Sequence, residues 1–353
     1  MVGKVSVLDD YRPSCWFDVI SAFCPAPVGV WCIIIHTVIH RNQAEFPIHE
    51  PVLLEEVIRV FGSDRSGVLE HVIDGTVGMG GHSEALLEHC THQLLGLDRD
   101  AAALPHATDR LQKYAPRFQL KHRSYLDMVA AAAELGWHEV DGILLDLGFS
   151  SVQVATPVRG FSFQLDGPLD MRYDCASGDT AADWLNAARE SEIVQVLLAY
   201  GEEPQSRAIA RAIGAERPIH TTKQLSELVE RVKGAGSRRA KIHPATRTFQ
   251  AIRMFVNDEL GILKKALPQA IRLLRTGGRL AVISFHSVED RVVKRFFQEA
   301  SRNCICPPEK LLCDCGHVAT VKRVTRKPIR AQSREIARNP RSRSARLRVV
   351  EAL

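Results

Sequence analysis

The 353-residue chain contains no internal repeat, no low-complexity segment and no hydrophobic run long enough to cross a membrane. Its apolar run at residues 28–35 has eight residues, whereas a transmembrane helix needs about twenty. Asp9, Asp10 and Asp18 also spoil the basic start of a secretory signal. The nine cysteines do not indicate a secreted disulfide framework, because a chain of this length can be stabilised by its core. We therefore expect a cytoplasmic protein without a membrane partner.

Residues 1–46 differ in pattern from the rest of the chain. They contain three cysteines and two tryptophans but no amphipathic periodicity, and recognisable domain sequence begins at His49-Glu50-Pro51-Val52-Leu53. We expect residues 1–46 to be an N-terminal extension that is disordered or lies upstream of the native start.

Basic residues are concentrated near the C-terminus. Residues 322–348 hold eleven Lys or Arg and one acid, Glu335, for a net charge of +10 within a chain total of +5. The remaining residues therefore carry −5. This distribution is expected where a protein contacts phosphates, so it indicates a nucleic-acid partner. A solvated basic tail is the alternative.

The most informative stretch is the glycine loop Asp74-Gly75-Thr76-Val77-Gly78-Met79-Gly80-Gly81-His82, which follows an apolar run and leads into a helical pattern. Such a loop lets a ligand approach the backbone closely, and the positive helix end favours an anionic group. Asp98 follows the glycines by about twenty residues, where an acid accepts hydrogen bonds from ribose hydroxyls. The loop therefore predicts a nucleotide-like ligand.

Either a nicotinamide dinucleotide or S-adenosylmethionine satisfies these features. The dinucleotide fingerprint is G-x-G-x-x-G, whereas Gly78-x-Gly80-Gly81 is followed here by His82 and Ser83. The missing third glycine favours S-adenosylmethionine, which carries a carboxylate and no pyrophosphate. A glycine turn without a ligand is the remaining alternative.

Apolar runs at residues 118–121, 141–148 and 280–285 predict further strands, with helical patterns between them. This alternation predicts an α/β fold with a doubly wound, mainly parallel sheet, whose ligand lies beyond the carboxyl ends of the strands. The long helical stretch before residue 280 predicts an inserted all-helical domain. The predicted parts are an α/β domain in two pieces (47–152 and 248–316), the helical insertion (153–247) and a basic C-terminal segment (317–353).

Several helix ends are also predicted. Thr180 with Asp183 and Thr221 with Gln224 have the pattern of capping boxes, and the second helix should end near Gly234. Residues 248–267 predict one helix with an apolar face formed by Phe249, Ile252, Val256, Leu260 and Leu263. The stretch just before this helix is expected to face a polyanion, through Arg238, Arg239, Lys241, His243 and Arg247.

Candidate chemistry lies at two strand ends. Asp146 and Gln153 could read the polar edge of an adenine or of a target nucleobase. His286, Ser287, Glu289 and Asp290 follow the last long strand, although Ser287 with Asp290 also has the pattern of a capping box. Cys304-x-Cys306 and Cys313-x-Cys315 place four cysteines close together in the sequence, as in a metal site, but structural zinc usually prefers a wider spacing within each pair. A reduced cysteine hairpin is the alternative to zinc there.

The residues from His49 to Leu353 resemble the RsmH family, also called MraW. The shared motifs include Asp74-Gly75-Thr76 with Gly80-Gly81-His82-Ser83, Asp98-Arg99-Asp100, Asp146-Leu147-Gly148, Arg159-Gly160-Phe161-Ser162-Phe163, Asp166-Gly167-Pro168-Leu169-Asp170-Met171-Arg172, Thr248-Phe249-Gln250-Ala251-Ile252-Arg253, Ser284-Phe285-His286-Ser287 and Asn339-Pro340-Arg341-Ser342-Arg343-Ser344-Ala345.

The resemblance implies a class I, Rossmann-like methyltransferase fold with an inserted helical domain. It implies that S-adenosylmethionine donates a methyl group to N4 of a cytidine in the decoding centre of small-subunit ribosomal RNA, position 1402 of 16S rRNA. It places the cofactor at Gly80, Gly81, His82, Asp98, Tyr125, Asp146 and Gln153. Tyr125 replaces the family's more usual phenylalanine, and Val152, Val154 and Ala155 depart from its usual Ser-Ser-Pro-Gln-Leu-Asp run.

For the chemistry we nominate Asp146 and His286 to hold N4 or take its proton. The partner expected from the resemblance is 16S rRNA in the small ribosomal subunit, and a homodimer is left open. Alternative functions are methylation of another RNA or of a small molecule, a nicotinamide-dependent oxidoreductase, and a non-catalytic RNA-binding protein.

Overall fold

A mixed sheet of seven strands organises the part of the chain that the computed structural model describes, namely residues 50–63, 67–234, 243–307, 309–310 and 312–353. The strands are β1 (Leu69–Asp74), β2 (Thr91–Asp98), β3 (Phe118–His122), β4 (Val140–Asp146), β5 (Leu274–Ser284), β6 (Val321–Arg323) and β7 (Arg346–Ala352). Their order is β3-β2-β1-β4-β5-β7-β6. Strands β1 to β5 are parallel, and β7 is antiparallel to both β5 and β6. The predicted α/β class with a mainly parallel sheet is confirmed.

The described helices are α1 (Leu54–Ile58), α2 (Gly81–His89), α3 (Leu104–Leu111), α4 (Met128–Ala133), α5 (Ser151–Ala155), α6 (Ala181–Ala187), α7 (Glu190–Gly201), α8 (Ser206–Glu216), α9 (Thr222–Lys233), α10 (Thr246–Val256), α11 (Glu259–Leu273), α12 (Ser287–Ala300) and α13 (Ser333–Arg338). Within these ranges, no helix combines the length and apolar character that crossing a bilayer would require.

Helices cover both faces of the sheet. Alternate residues of a strand point to opposite faces, and β4 shows this, because Ile143 packs with α4, α11 and α12 whereas Leu144 packs with α1, α2 and α3. Burial on both faces explains why β4 reads as a continuous apolar run. Asp146, the last residue of β4, lies at the carboxyl edge of the sheet.

The helical insertion has an apolar core of its own. It includes Leu185, Ile193, Ile209 and Leu228 from helices α6 to α9. The predicted capping boxes at Thr180 and Thr221 are both present, and α9 ends at Lys233 with Gly234 as its C-cap. The inserted all-helical region is therefore confirmed.

The single helix predicted for residues 248–267 is wrong. It is two helices, because the chain turns between α10 and α11, where Asp258 has a φ of 45°. The buried Asn257 side chain fixes this turn by donating to the carbonyls of Met171 and Arg253 and accepting from the Tyr173 N–H. Phe249 of α10 consequently packs in the helical core, while α11 packs on the sheet.

The C-terminal residues are more than a solvated basic tail. Strand β7 lies between β5 and β6, and Leu347, Val349 and Val350 are fully buried. Arg346 and Arg348 bind Asp290 of α12. The sequence pattern missed this because Arg346, Arg348 and Glu351 interrupt the apolar residues, and these charges are partnered inside the fold.

Residues 49–173 and 179–353 form one compact unit, to which the sheet, the helices and the cleft all belong, and residues 174–178 lie outside it. The predicted domain boundaries stay predictions. The predictions for residues 1–46 and for Arg238, Arg239 and Lys241 lie outside the described residues.

Candidate active site

A cleft of about 690 Å³ lies at the carboxyl edge of the parallel strands. This edge is where open α/β sheets bind their ligands. The cleft brings together the glycine loop after β1, the end of β2, the β4 end, the β5 end, residues of the insertion and part of the C-terminal segment. Of the residues predicted for the site, it is lined by Gly81, His82, Asp98, Tyr125, Asp146, Gln153 and His286. Gly80 does not itself line the cleft but begins the helix that borders it.

Glycine is required at two positions of the loop for different reasons. Gly80 has a φ of 79° and is the N-cap of α2, a left-handed conformation that favours glycine. Gly81 lies so close to Pro51 that a Cβ atom at Gly81 would be 2.5 Å from the Pro51 side chain. The loop therefore turns tightly and brings backbone N–H groups to the cleft wall.

Asp98 is held by the loop that it faces. Its Oδ2 accepts from the Gly78 N–H at 2.7 Å and its Oδ1 from the Asp100 N–H at 2.8 Å. Burial raises the pKa of Asp98 to about 6. Each carboxylate oxygen keeps one lone pair for a further donor, so the geometry suits two adjacent ribose hydroxyls.

Asp74 stabilises the loop from beneath. Its Oδ1 accepts from the Thr76 N–H at 3.1 Å and its Oδ2 from the Ser83 hydroxyl at 2.6 Å. Complete burial raises the pKa of Asp74 to about 6 despite these hydrogen bonds. The side chain thus joins the end of β1 to the first turn of α2.

Asp146 is the least satisfied acid in the cleft. Its Oδ1 is buried and has no hydrogen-bond partner, while its Oδ2 lies 3.6 Å from Nδ1 of His82. His82 Nε2 lies 2.9 Å from the Val52 carbonyl and must donate to it, so Nδ1 is unprotonated in the neutral ring. Burial, together with the charges of Asp74 and Glu289, raises the pKa of Asp146 well above its usual value.

His286 is positioned as the N-cap of α12. Its Nδ1 accepts from the Glu289 N–H, and its Nε2 lies 3.1 Å from Oε1 of Glu289. The predicted capping box on Ser287 is wrong, because Ser287 is the first helical residue and its hydroxyl donates to Glu202 at 2.7 Å. Burial would raise the pKa of Glu289, but His286 and Arg253 together lower it.

Gln153 and Tyr125 contact other residues of the cleft wall. The Gln153 amide donates to Asp100 Oδ2 at 2.6 Å and accepts from the Ser150 N–H, so both ends are already engaged. Arg159 binds the same Asp100 oxygen at 2.8 Å. Tyr125 packs its Cβ beside Gly75, at 2.9 Å from where a Cβ on that glycine would lie. The sequence did not predict the Asp100–Arg159 pair, although both residues stand in quoted motifs.

An aromatic wall of Phe149, Phe161 and Tyr173 was also missed. The ring centroids are 6.2 Å apart for Phe149 and Phe161, and 5.5 Å for Phe161 and Tyr173. The buried guanidinium of Arg253 lies 4.6 Å from the Phe149 ring centroid and makes a two-pronged ion pair with Glu259. Phe149 itself is 45% exposed. Nothing in the spacing of these residues predicts that they converge.

Carboxylates and an imidazole meet beside this wall. One ligand atom from each of Glu259, His286 and Glu289 lies within 4.8 Å of the others. Both Glu259 oxygens accept from Arg253, and Tyr173 donates to Oε1, which offsets its charge. The predicted metal candidates Cys304, Cys306, Cys313 and Cys315 lie elsewhere, in the loop between α12 and β6.

Two basic residues of the C-terminal segment reach the cleft. Arg341 and Arg343 are exposed and line it together with Pro340 and Ser344. Phe163 of the insertion and Phe249 and Gln250 of α10 line it too. The cleft therefore has a polar end at the glycine loop and an aromatic end at Phe149, Phe161 and Tyr173.

Comparison with known proteins gives the family. Residues 47–353 match the model of the MraW methylase family. A protein of Thermomicrobium roseum named Ribosomal RNA small subunit methyltransferase H is 50% identical over 310 residues, covering 86% of this chain and 94% of that protein. A protein of the same name from Syntrophotalea carbinolica is 47% identical, covering 86% of this chain and 98% of that protein. The chain belongs to the MraW methylase family.

Proposed function

We propose that this protein transfers the methyl group of S-adenosylmethionine to the exocyclic N4 of a cytidine in the decoding centre of small-subunit ribosomal RNA, position 1402 of 16S rRNA. The name carried by its relatives supports small-subunit ribosomal RNA as the substrate, and the family resemblance supports the finer assignment. The observation that carries the chemistry is the buried, unpartnered Oδ1 of Asp146, in a cleft that the glycine loop and the aromatic wall also line.

The glycine-loop end suits the donor. Asp98 would accept the ribose hydroxyls, and the N–H groups at the start of α2 would favour the carboxylate of the methionine moiety. Tyr125 would pack against the adenosine. Because the Gln153 amide is engaged by Asp100 and Ser150, its role in our proposal is to fix the cleft wall.

The aromatic end suits the acceptor. A cytosine must leave its stack in the RNA before N4 can reach the sulfonium methyl, which costs a few kcal/mol. The exposed ring of Phe149 could stack on the extruded cytosine and offset part of this cost. Arg341 and Arg343 are placed to contact the neighbouring phosphates.

The reaction needs alignment and a proton acceptor. The N4 lone pair attacks the methyl carbon, the carbon–sulfur bond breaks to leave neutral S-adenosylhomocysteine, and N4 loses one proton. Near-attack alignment can supply about 7–11 kcal/mol of the barrier. Asp146 would accept the proton, because its raised pKa makes it a stronger proton acceptor than an ordinary aspartate. His286, fixed by Glu289, would orient N4.

The test is transfer of tritiated methyl from S-adenosylmethionine to small ribosomal subunits isolated from cells without this modification, followed by nucleoside analysis. We expect label in N4-methylcytidine at one position, and no label in subunits that already carry it. Naked 16S rRNA forms a second arm that separates RNA from assembled particle as substrate. Label in any other nucleoside, or none, would overturn the proposal, and calorimetry with NAD checks the oxidoreductase alternative.

A further inference from the structure

Four cysteines converge in the loop that joins α12 to β6. The cysteine cluster consists of Cys304, Cys306, Cys313 and Cys315, and their Sγ atoms all lie within 4.8 Å of one another. The sulfur atoms of Cys313 and Cys315 are 3.5 Å apart, and those of Cys304 and Cys315 are 3.9 Å apart. Two short C-x-C segments therefore present all four sulfurs to one point.

These separations distinguish between the two ways of cross-linking cysteines. A disulfide requires its sulfurs to be about 2.0 Å apart, and neither distance approaches that value. Four thiolates at about 2.3 Å from a tetrahedral zinc ion are about 3.8 Å from one another by geometry. The two distances lie on either side of this figure, and all four sulfurs lie within 4.8 Å of one another, so their separations suit a tetrahedral zinc ion.

The loop has little else to hold it. Among the described positions of residues 301–320, no side chain is buried and no helix or strand forms. Its base is fixed, because the Thr320 N–H donates to the Ala300 carbonyl and His317 Nε2 donates to the Glu299 carbonyl. The cysteine cluster lies beyond this base, where exposed Ile305 and Leu312 offer no apolar core. A chain segment of this length without a core usually needs a metal or a covalent cross-link to be ordered.

The local backbone also suits metal binding by closely spaced cysteines. The Cys306 N–H donates to Cys304 Sγ at 3.4 Å, which folds the first C-x-C segment back on itself. Hydrogen bonds of this kind to a ligand atom orient it and stabilise its charged form. The one-residue spacing, shorter than the usual C-x₂₋₄-C, is thereby accommodated.

We propose that the cysteine cluster binds one Zn²⁺ through four thiolates and that this ion fixes the loop between α12 and β6. Each cysteine loses its proton as its sulfur binds the metal. With four protein ligands the ion has no open position, so the site is structural and takes no part in methyl transfer. It would hold the C-terminal end of the helix whose first residues, beginning with the His286 cap, face the cleft.

The first test measures metal in the full chain purified under reducing conditions and titrated with Zn²⁺. We expect one equivalent of zinc per chain and, after exchange for Co²⁺, the intense thiolate-to-cobalt absorption of a four-sulfur site. The double variant Cys304→Ser/Cys313→Ser should lose both, whereas the matched control Cys175→Ser, outside the cluster, should keep both. Wild-type protein that binds no zinc, or a double variant that binds it equally, would overturn the proposal.

A second measurement needs no variant. Chelation of the wild-type protein should speed proteolysis within residues 301–320, and added zinc should reverse this. S-adenosylmethionine binding should change little, because the loop joins the end of α12 opposite to the one that faces the cleft. Intact mass under non-reducing conditions that is lower by two hydrogens per cysteine pair would identify disulfides and refute the zinc site.

Discussion

Replacing Asp146 with Asn should lower activity and raise stability together. The substitution keeps the shape of the side chain but removes its negative charge and its ability to take a proton. In the folded protein that charge is opposed by burial and by the charges of Asp74 and Glu289. Its Oδ1 has no hydrogen bond to lose. The Asp146 side chain therefore serves the reaction while lowering the stability of the folded protein.

The expected loss of rate follows from the role of a proton acceptor. General-base catalysis contributes about 10²–10⁴-fold, so Asp146→Asn should raise the barrier by about 3–5 kcal/mol. The direction of the stability change follows from the raised pKa. A carboxyl group whose folded pKa is raised loses its favourable contribution as pH rises through that value. Above neutral pH the asparagine variant should therefore unfold at higher urea concentration than the wild type.

Single-turnover methyl transfer at saturating S-adenosylmethionine measures the first effect, and urea unfolding at mildly alkaline pH measures the second. Asp141→Asn is the matched control on the same strand. Asp141 is buried but fully satisfied, since it accepts the N–H groups of Glu70 and His71 and binds Arg275. That variant should lose stability and keep its rate per folded molecule. An unchanged rate for Asp146→Asn would refute the proton-acceptor role, and lower stability would refute the electrostatic argument.

Three further predictions concern the loop, the buried acids and the backbone. Asp98→Ala should weaken S-adenosylmethionine binding by at least about 10-fold by calorimetry, because one charge-assisted hydrogen bond contributes about 10- to 150-fold and Asp98 would accept two. Asp109→Ala, on the exposed face of α3, should leave binding unchanged, and equal binding by both variants would remove Asp98 from the site. The pKa of Asp74 is raised to about 6 in the folded protein, so its contribution to the free energy of unfolding is complete below pH 3.8 and is lost as the pH rises through about 6. This contribution is about 3 kcal/mol. An NMR titration of the carboxyl group with a midpoint near 3.8 would contradict this. Gly160→Ala should cost several kcal/mol more in urea unfolding than Gly136→Ala, because both have a φ of 70–75° but only the first would bring a Cβ within 2.4 Å of a carbonyl; equal losses would contradict the clash.

Strand ends were predictable because periodicity and burial act locally. The run ending in Asp146 is buried on both faces of the sheet, and a strand buried on both faces has consecutive apolar residues. Capping boxes at Thr180 and Thr221 were predictable for the same reason, since donor and acceptor lie within one turn.

Convergence across the chain could not be predicted in this way. The break at Asn257 depends on the Met171 carbonyl and the Tyr173 N–H, both more than eighty residues away. A helical pattern that continues through residue 257 carries no sign of such partners. The pairing of Asp100 with Arg159 likewise depends on how the insertion leaves the sheet.

The position of β7 affects the order in which parts of the chain can fold during synthesis. Leu280 of β5 pairs with Val350, and Ile143 of β4 pairs with Leu280 across the whole insertion. During synthesis the helices of the insertion can pack as soon as they emerge, because their contacts are close in sequence, whereas β5 must wait for β7 to cover its free edge. The helical insertion would then be packed before β5 gains its second neighbour in the sheet.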